Sequence, residues 1–286
     1  MLSYELNNGL KIPALGLGTW LISNEEIEEV VKEAISLGYR HIDTAQAYGN
    51  EQGIGKAIKE SNIDRKELFI TSKIKAEYKT YESAKKSIDA SLTNLGVDYI
   101  DLMLIHAPQP WDEFRISNNH YYYENKEVWK ALEEAYLEGK VKAIGVSNFH
   151  IEDLNNIINS CQIKPMVNQV LAHVGQTPFD LINFCQKNNI IVEAYSPIAH
   201  GEAARIKEVN DLATKYHKSF AQICLKYDLN LNMVVLPKAK SINHLKDNMD
   251  LDFTIEDKDM GLLKTIKPLS NYGQDDFFPV FKQSGK

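Results

Sequence analysis

Four residues of this sequence have types and surroundings suited to moving a proton. Asp43 ends a short apolar run in GYRHIDTAQAYGNEQGIG (38–55), and Tyr48 follows in the next turn, ahead of Asn50, Glu51 and a helical pattern. Lys73 lies inside the apolar stretch FITSKI (69–74), and His106 ends DYIDLMLIH (98–106). If each stretch is a strand, three neighbouring strands aim an acid, a base and an imidazole at one face, with a phenol above them. A free phenol has a pKa of about 10 and a free lysine about 10.4. A buried ammonium beside the phenol favours phenolate and lowers its pKa, while a carboxylate beside the lysine offsets the cost of burying that charge. The expected roles are then Tyr48 as general acid, Lys73 as the group that tunes it, Asp43 as the anchor of Lys73, and His106 as a hydrogen-bonding guide for a substrate oxygen. Singly, each residue has an ordinary alternative. A strand-end Asp caps a turn, a strand Lys snorkels outward, and a lone His is a satisfied core residue. All four on adjacent strands favour the catalytic reading. His41-Ile42-Asp43 also hints at a metal site, but no other strand end supplies further ligands, so no metal is expected.

The elements that must position these residues alternate regularly. Strand signals lie near 41, 69, 100, 142, 166, 190 and 233, and LGLG (15–18) supplies an eighth. The runs are nearly continuous in apolar residues and bounded by Gly, Asn or Pro, as parallel strands buried on both faces are. Between them lie helical patterns. TYESAKKSIDASLTNL (80–95) has Thr80 as N-cap and Gly96 just past its end; ENKEVWKALEEAYLEG (124–139) ends at Gly139; HIEDLNNIINS (150–160) and TPFDLINFCQKNN (177–189) follow. Eight strand–helix units without a break in composition predict an α/β fold, a single (β/α)8 TIM barrel spanning residues 1–286 as one domain. SYELNNGLKIP (3–13), with its Asn-Asn-Gly centre, reads as a β-hairpin capping one end. Segments 107–123, 198–218 and 268–286 break the spacing and are expected as long loops at the C-terminal face, where barrels bind ligands. They carry Trp111, Phe114, Tyr121-Tyr122-Tyr123, Tyr272, Phe277 and Phe278, which either line an apolar pocket or pack on the rim.

The bulk properties restrict the class. The chain has 286 residues, 44% of them hydrophobic, with formal charge −7. That is enough for a large core and for one barrel of about 250 residues. There is no basic stripe, so nucleic acid is not an expected partner. No stretch reaches the roughly 18 apolar residues of a membrane span. MLSYELNNGLKIP lacks the basic and apolar regions of a signal peptide, and Cys161, Cys185 and Cys224 form no CxxC pair. A cytoplasmic protein with reduced thiols is expected.

Together these stretches resemble the aldo-keto reductases, over essentially the whole chain. The resemblance rests on GLGTW (16–20), GYRHIDTAQAYGNEQGIG (38–55), FITSKI (69–74), LIHAP (104–108), GKVKAIGVSNF (139–149), NQV (168–170), AYSP (194–197) and LPKAKSINHLKDN (236–248). It is similar to bacterial reductases of the 2,5-diketo-D-gluconate reductase kind. The resemblance implies reduction of aldehydes or ketones with NADPH, NADH also being possible, on a barrel without a Rossmann domain. It matches Asp43, Tyr48, Lys73 and His106 to the family's catalytic four. It also implies that Ser147, Asn148 and Gln169 hold the nicotinamide carboxamide, that Tyr195 stacks on the ring and that Ser196 meets the pyrophosphate. Gly18, Thr19 and Trp20 would adjoin nicotinamide and substrate, with Trp111 and Phe278 as further apolar walls. Lys238, Ala239, His244 and Asn248 would stand at the adenosine end.

Three departures from the family pattern matter. NADPH-using members usually have Lys-Ser and Arg where this chain has Lys238, Ala239 and His244. One hydroxyl donor is gone and a charged fork is replaced by a ring mostly neutral near pH 7, so a weakened NADPH preference is expected, with Lys240 as a possible helper. IAHGEAA (198–204) lacks a Pro-Asp type of cofactor belt, which predicts faster cofactor release. Ala107 follows His106 where many members carry Trp, which predicts a wider pocket. The His itself differs from the Glu of the family's steroid double-bond reductases. A competing reading is a catalytically weak, cofactor-binding regulatory or structural protein, as the potassium-channel β subunits and some lens crystallins are. A monomer and a small carbonyl substrate are expected.

Overall fold

The structure is a computed structural model that describes residues 2–269, 272 and 278–281. The N-terminal hairpin pairs β1 (Ser3–Glu5) with β2 (Lys11–Pro13) antiparallel, Tyr4 opposite Ile12. Its turn works as the sequence suggests. Gly9 takes a φ of 85°, and Asn8 Oδ1 accepts from the Leu10 N–H at 3.1 Å. Asn7 Nδ2 donates to Pro165 O at 3.0 Å and Asn8 Nδ2 to Lys142 O at 2.9 Å. The hairpin therefore covers the N-terminal ends of the strands, opposite the predicted site.

Eight parallel strands form the barrel in sequence order: β3 (Leu17–Gly18), β4 (His41–Asp43), β5 (Phe69–Ile74), β6 (Ile100–Ile105), β7 (Val141–Ser147), β8 (Val167–Leu171), β9 (Ile191–Tyr195) and β10 (Val234–Leu236). A parallel bridge between Leu15 and Val235 closes it, with Gly16 N donating to Val235 O and Val235 N to Ala14 O, both at 2.9 Å. Every residue of β5 and β6 is buried, as expected of strands covered on both faces. Helices follow the strands in turn: α1 (Ile27–Leu37), α2 (Glu51–Glu60), α3 (Tyr81–Leu95), α4 (Tyr122–Leu137), α5 (Ile151–Ile158) and α6 (Phe179–Lys187). Then come α7 (Lys207–Tyr216), α8 (Phe220–Asn230), α9 (Ile242–Met249) and α10 (Asp257–Lys264). Thr80 caps α3 by accepting from Ser83 N, and Gly96 ends it at φ 62°. None of the helices of the described residues is long and apolar enough to cross a membrane.

Two expectations need correction. The helix expected at 124–139 begins at Tyr122 and ends at Leu137, because Tyr121 enters through a left-handed φ of 52°. Segment 198–218 is not simply a loop. It holds a 3-10 stretch, Ala199–Arg205, kinked by left-handed His200 and Gly201, and then the whole of α7. Val209, Leu212 and Ala213 give α7 its buried side, and His217 stops it at φ 54°. Segment 107–121 is a true loop, pinned from several sides. Lys79 Nζ donates to Ala107 O (2.8 Å), Asn125 Nδ2 to Pro108 O (2.9 Å), and Arg115 to Asp153 (2.7 Å) and Asn148 O (2.9 Å). Above the barrel core a second apolar cluster joins this loop to Tyr272 and Phe281, with Trp20, Trp111 and Phe278 packed against it. Phe277, also expected in this region, lies outside the described residues.

Candidate active site

The C-terminal ends of the strands surround a cavity of about 480 Å³. Asp43 closes β4, Lys73 projects from β5, and His106 follows β6 directly. Lys73 is completely buried. Its ammonium donates to Asp43 Oδ1 (2.7 Å) and Oδ2 (2.9 Å), to Thr44 O (2.8 Å) and to the Tyr48 hydroxyl (3.3 Å). The Tyr48 ring meets the His106 ring edge to face, centroids 5.6 Å apart, and His106 in turn meets Trp111 at 5.2 Å. The structure thus brings the four predicted residues together, with Lys73 beneath the cavity floor and the other three on its wall.

Asn50 and Glu51 explain how the Tyr48 turn is held. Asn50 Nδ2 donates to Thr19 O and Ile22 O, both at 3.0 Å, and its Oδ1 accepts from Thr44 Oγ1 at 2.7 Å. Glu51, also buried, accepts from Ser72 Oγ at 2.7 Å and Asn94 Nδ2 at 3.0 Å. Gly49 makes the turn at φ 70°. The phenol is therefore carried on a segment tied to β3, β4, β5 and α3.

Electrostatics correct one expectation. Burial raises the Tyr48 phenol above its ordinary value; Lys73 pulls it down, Asp43 pushes it up, and burial wins. The phenol stays protonated and able to donate, though its pKa is raised rather than lowered. Burial works to lower the Lys73 pKa, but Asp43 and Tyr48 outweigh it and the ammonium stays charged. Burial likewise lifts the Asp43 carboxyl against the pull of Lys73 and Gln169. Burial, and then the charge on Lys73, hold His106 well below the usual imidazole range, so its ring is neutral.

The remaining predicted residues divide in two. Gly18, Thr19 and Trp20 line the cavity from β3, and Ser147, Asn148 and Gln169 from β7 and β8. Tyr195, Ser196 and Lys238 line it from β9 and β10, and Trp111 and Phe278 from the loops. Ala239, His244 and Asn248 are outside the cavity lining. Ala239 is buried, His244 is exposed on the first turn of α9, and Asn248 is buried on the same helix. Lys240 pairs with Glu26 at 2.8 Å. The polar groups are also partly used by one another. Tyr195 Oη donates to Asn148 Oδ1 (2.6 Å), Asn148 Nδ2 to His106 O and Ser147 Oγ (both 3.0 Å), and Ser147 Oγ to Gln169 O (2.9 Å). Gln169 donates through Nε2 to Asp43 and Glu193, which leaves its carbonyl oxygen for the cavity.

Several lining residues escaped the sequence reading: Ala47, Pro197, Ile198, His200, Gly201, Leu236 and Phe281. His200 Nε2 lies 2.8 Å from Ser196 Oγ, on the kinked segment whose course no local pattern reveals. Glu193 also escaped, although a carboxylate inside the apolar run IIVEAYSP was a readable signal.

Residues 14–268 match the model of the aldo/keto reductase family. The chain belongs to that family. It is 41% identical over 264 residues to the glyoxal reductase of Bacillus subtilis (strain 168), covering 92% of this chain and 91% of that one. The crystal structure of an aldo/keto reductase from Brucella melitensis superposes with a TM-score of 0.85 at 40% identity, over 92% of this chain and 98% of that chain. The Bombyx mori aldo-keto reductase in complex with NADP superposes with a TM-score of 0.86 at 30% identity, over 99% of each chain. As an aldo/keto reductase the chain is an oxidoreductase, and its fold is the (β/α)8 barrel expected from the strand pattern.

Proposed function

We propose that this aldo/keto reductase reduces aldehydes and ketones to alcohols with NADPH, with Tyr48 giving the proton. The observation that carries the reading is the completely buried ammonium of Lys73, joined at once to Asp43 and to the phenol of Tyr48, at the floor of a cavity that His106 faces. The B. subtilis relative is named for reduction of glyoxal, and the B. mori relative carries NADP, which support this reaction class and cofactor.

The cavity suits a nicotinamide nucleotide. At its polar end Gln169 lines the cavity with both amide N–H groups engaged elsewhere, which leaves its amide oxygen as the acceptor for a carboxamide N–H. Asn148 and Ser147 brace that wall, Tyr195 gives it an aromatic face, and Ser196 continues it. At the rim Lys238 supplies a cation for phosphate. Gly18, Thr19 and Trp20 form the opposite side, while Ala239, His244 and Asn248 stand farther out, where the adenosine end would lie. When bound, the reduced nicotinamide supplies the hydride.

The protein does the rest. His106 is neutral, and its buried Nδ1 has no hydrogen-bond partner among the described residues. The tautomer with the proton on Nε2 therefore leaves no buried N–H unpaired, and that N–H can hold a carbonyl oxygen. Tyr48 then donates to the same oxygen as it gains charge. Lys73, one hydrogen bond behind, stabilises the phenolate left behind, and Asp43 keeps Lys73 charged. Trp20, Trp111 and Phe278 wall the substrate side, so an apolar or small carbonyl compound is favoured. Every residue invoked comes from one chain, and the reading needs no second copy.

The test is oxidation of NADPH and, separately, NADH by purified protein with small aldehydes, dicarbonyls and ketones. Turnover with lower KM for NADPH supports the proposal, and equal use would mean that Ala239 and His244 have relaxed the discrimination. Cofactor binding without turnover on any carbonyl would overturn it in favour of a binding protein of the same fold.

A further inference from the structure

Beneath Gln169 the barrel interior holds a second polar layer that the mechanism above does not use. Glu193 on β9 stands opposite Gln169 on β8 in register and is completely buried. Its Oε2 accepts one N–H of the Gln169 amide at 2.9 Å, and the same amide nitrogen donates to Asp43 Oδ2 at 2.7 Å. Its Oε1 has no hydrogen-bond partner among the described residues and lies 3.7 Å from His41 Nε2. The His41 tautomer can be assigned. Nδ1 faces Pro13 O at 3.3 Å, and a carbonyl only accepts, so Nδ1 carries the proton. Nε2 then accepts the Thr71 hydroxyl at 3.0 Å with its one lone pair, so His41 offers Glu193 no N–H. A carboxylate there would bury a charged oxygen with no donor among the described residues, and a neutral acid avoids that charge.

The groups facing Glu193 agree with a protonated state. Asp43 and His41 reach it from β4, Lys73 from β5 and Gln169 from β8. Burial, and then the charge on Asp43, push its carboxyl up to about 8, against the Gln169 hydrogen bond and Lys73. Burial holds His41 down at about 3, so no imidazolium is there to pair with it.

We propose that Glu193 is a positioning residue for the site: as a neutral acid it holds the Gln169 amide with both N–H groups turned to carboxyl oxygens, so that the Gln169 carbonyl oxygen always faces the cavity. The inference rests on the reading that the cavity takes a nicotinamide, whose carboxamide N–H that oxygen would accept. It adds a second consequence. With Glu193 neutral, Lys73 answers only to Asp43 and Tyr48. Once Glu193 ionises, a second buried anion opposes the phenolate that Tyr48 becomes, and reduction slows.

The experiment compares wild type, Glu193→Gln and Glu193→Leu. NADPH affinity is read at pH 7 by quenching of tryptophan fluorescence, with melting curves to establish folding, and kcat is followed from pH 6 to 9.5. Glu193→Gln keeps a neutral side chain whose oxygen can accept from Gln169, so it should bind NADPH as wild type does. Glu193→Leu leaves the Gln169 amide unanchored and should bind about tenfold more weakly, the worth of one hydrogen bond. Wild-type kcat should fall as pH rises through about 8, and Glu193→Gln should lack that fall. Wild-type affinity in Glu193→Leu, or the same alkaline fall in Glu193→Gln, would overturn the inference. Failure of the wild type itself to bind NADPH would instead overturn the proposed function.

Discussion

Replacing Lys73 by methionine tests the buried cluster most directly. The change keeps the length of the side chain and removes its charge. Lys73 is fully buried and donates to both Asp43 oxygens at 2.7 and 2.9 Å. Without it, the Asp43 carboxyl keeps one side-chain donor, Gln169 Nε2 at 2.7 Å. The variant has two routes. It can bury an anion with a single donor, which costs roughly 3–5 kcal/mol when a buried pair is broken. Or it can protonate Asp43, an acid of ordinary pKa about 3.9. At pH 7 that is about 3 units, or about 4 kcal/mol. The two routes agree on a loss of up to about 4 kcal/mol at pH 7, less whatever the already raised Asp43 carboxyl costs the wild type. The second route also fixes the sign with pH. A carboxyl whose folded pKa is raised contributes stability below its unfolded pKa and loses it as pH rises through the folded one. The deficit should therefore shrink to about 1.5 kcal/mol at pH 5. Denaturant unfolding of both proteins at pH 5 and pH 7 measures this. Tyr48→Phe is the matched control. Lys73 keeps three shorter acceptors for its three hydrogens, so stability should change by less than about 1 kcal/mol, while turnover falls roughly 10²–10⁴-fold with cofactor still bound. A Lys73→Met protein as stable as wild type at pH 7, or a deficit that does not depend on pH, would refute the ion-pair reasoning. Undiminished turnover in Tyr48→Phe would refute the proton donor.

Other outcomes follow from the same contacts. Glu193→Gln should stabilise the fold by on the order of 3 kcal/mol at pH 7, because a carboxyl with its pKa pushed up to about 8 loses stability as pH rises from its unfolded value. That gain should vanish near pH 4, and equal stability of the two proteins at pH 7 would refute it. His106 is neutral across the assay range, so a log kcat/KM profile should show no break around the free imidazole value of about 6.5. Introducing Ala239→Ser with His244→Arg should raise the NADPH-to-NADH affinity ratio about tenfold, the value of one exposed charge-assisted bond, measured as two dissociation constants. A Cβ at Gly18 would stand 2.8 Å from Leu236 O, so Gly18→Ala should lower stability by about 1–3 kcal/mol through strain in the barrel seam, read by denaturant unfolding.

The barrel and the catalytic four were legible because their signals are local. FITSKI and DLMLIH are largely apolar runs in which Lys73 and His106 stand at or near the strand end, and eight repetitions of strand and helix admit few topologies. The α3 boundaries were readable for a similar reason, since Thr80 and Gly96 are the cap residues that the chain ends themselves require. What failed depended on backbone conformation that no period records. Left-handed Tyr121 and His217 set where α4 begins and α7 ends, left-handed His200 and Gly201 kink the stretch before α7, and three of the four are not glycine. The direction of the phenol's pKa shift was misjudged because the sequence names the neighbour, Lys73, but not the burial that outweighs it.

Glu193 marks the other boundary of what a sequence discloses. Its residue type was visible, yet its partners are not neighbours in the chain. Gln169 precedes it by one strand, Asp43 and His41 stand on β4, and Thr71 on β5. Only closure of the barrel places these five side chains in its interior, and only then does the pairing of donors with acceptors leave one buried carboxyl oxygen without a donor among the described residues. A catalytic reading that stops at the four residues facing the cavity treats Gln169 as a fixed fixture. The structure shows that its orientation depends on the Asp43 that anchors Lys73 and on the buried acid behind it. The cofactor wall and the proton-donating cluster therefore share one hydrogen-bonded core, and a change made for cofactor binding should be felt in proton transfer as well.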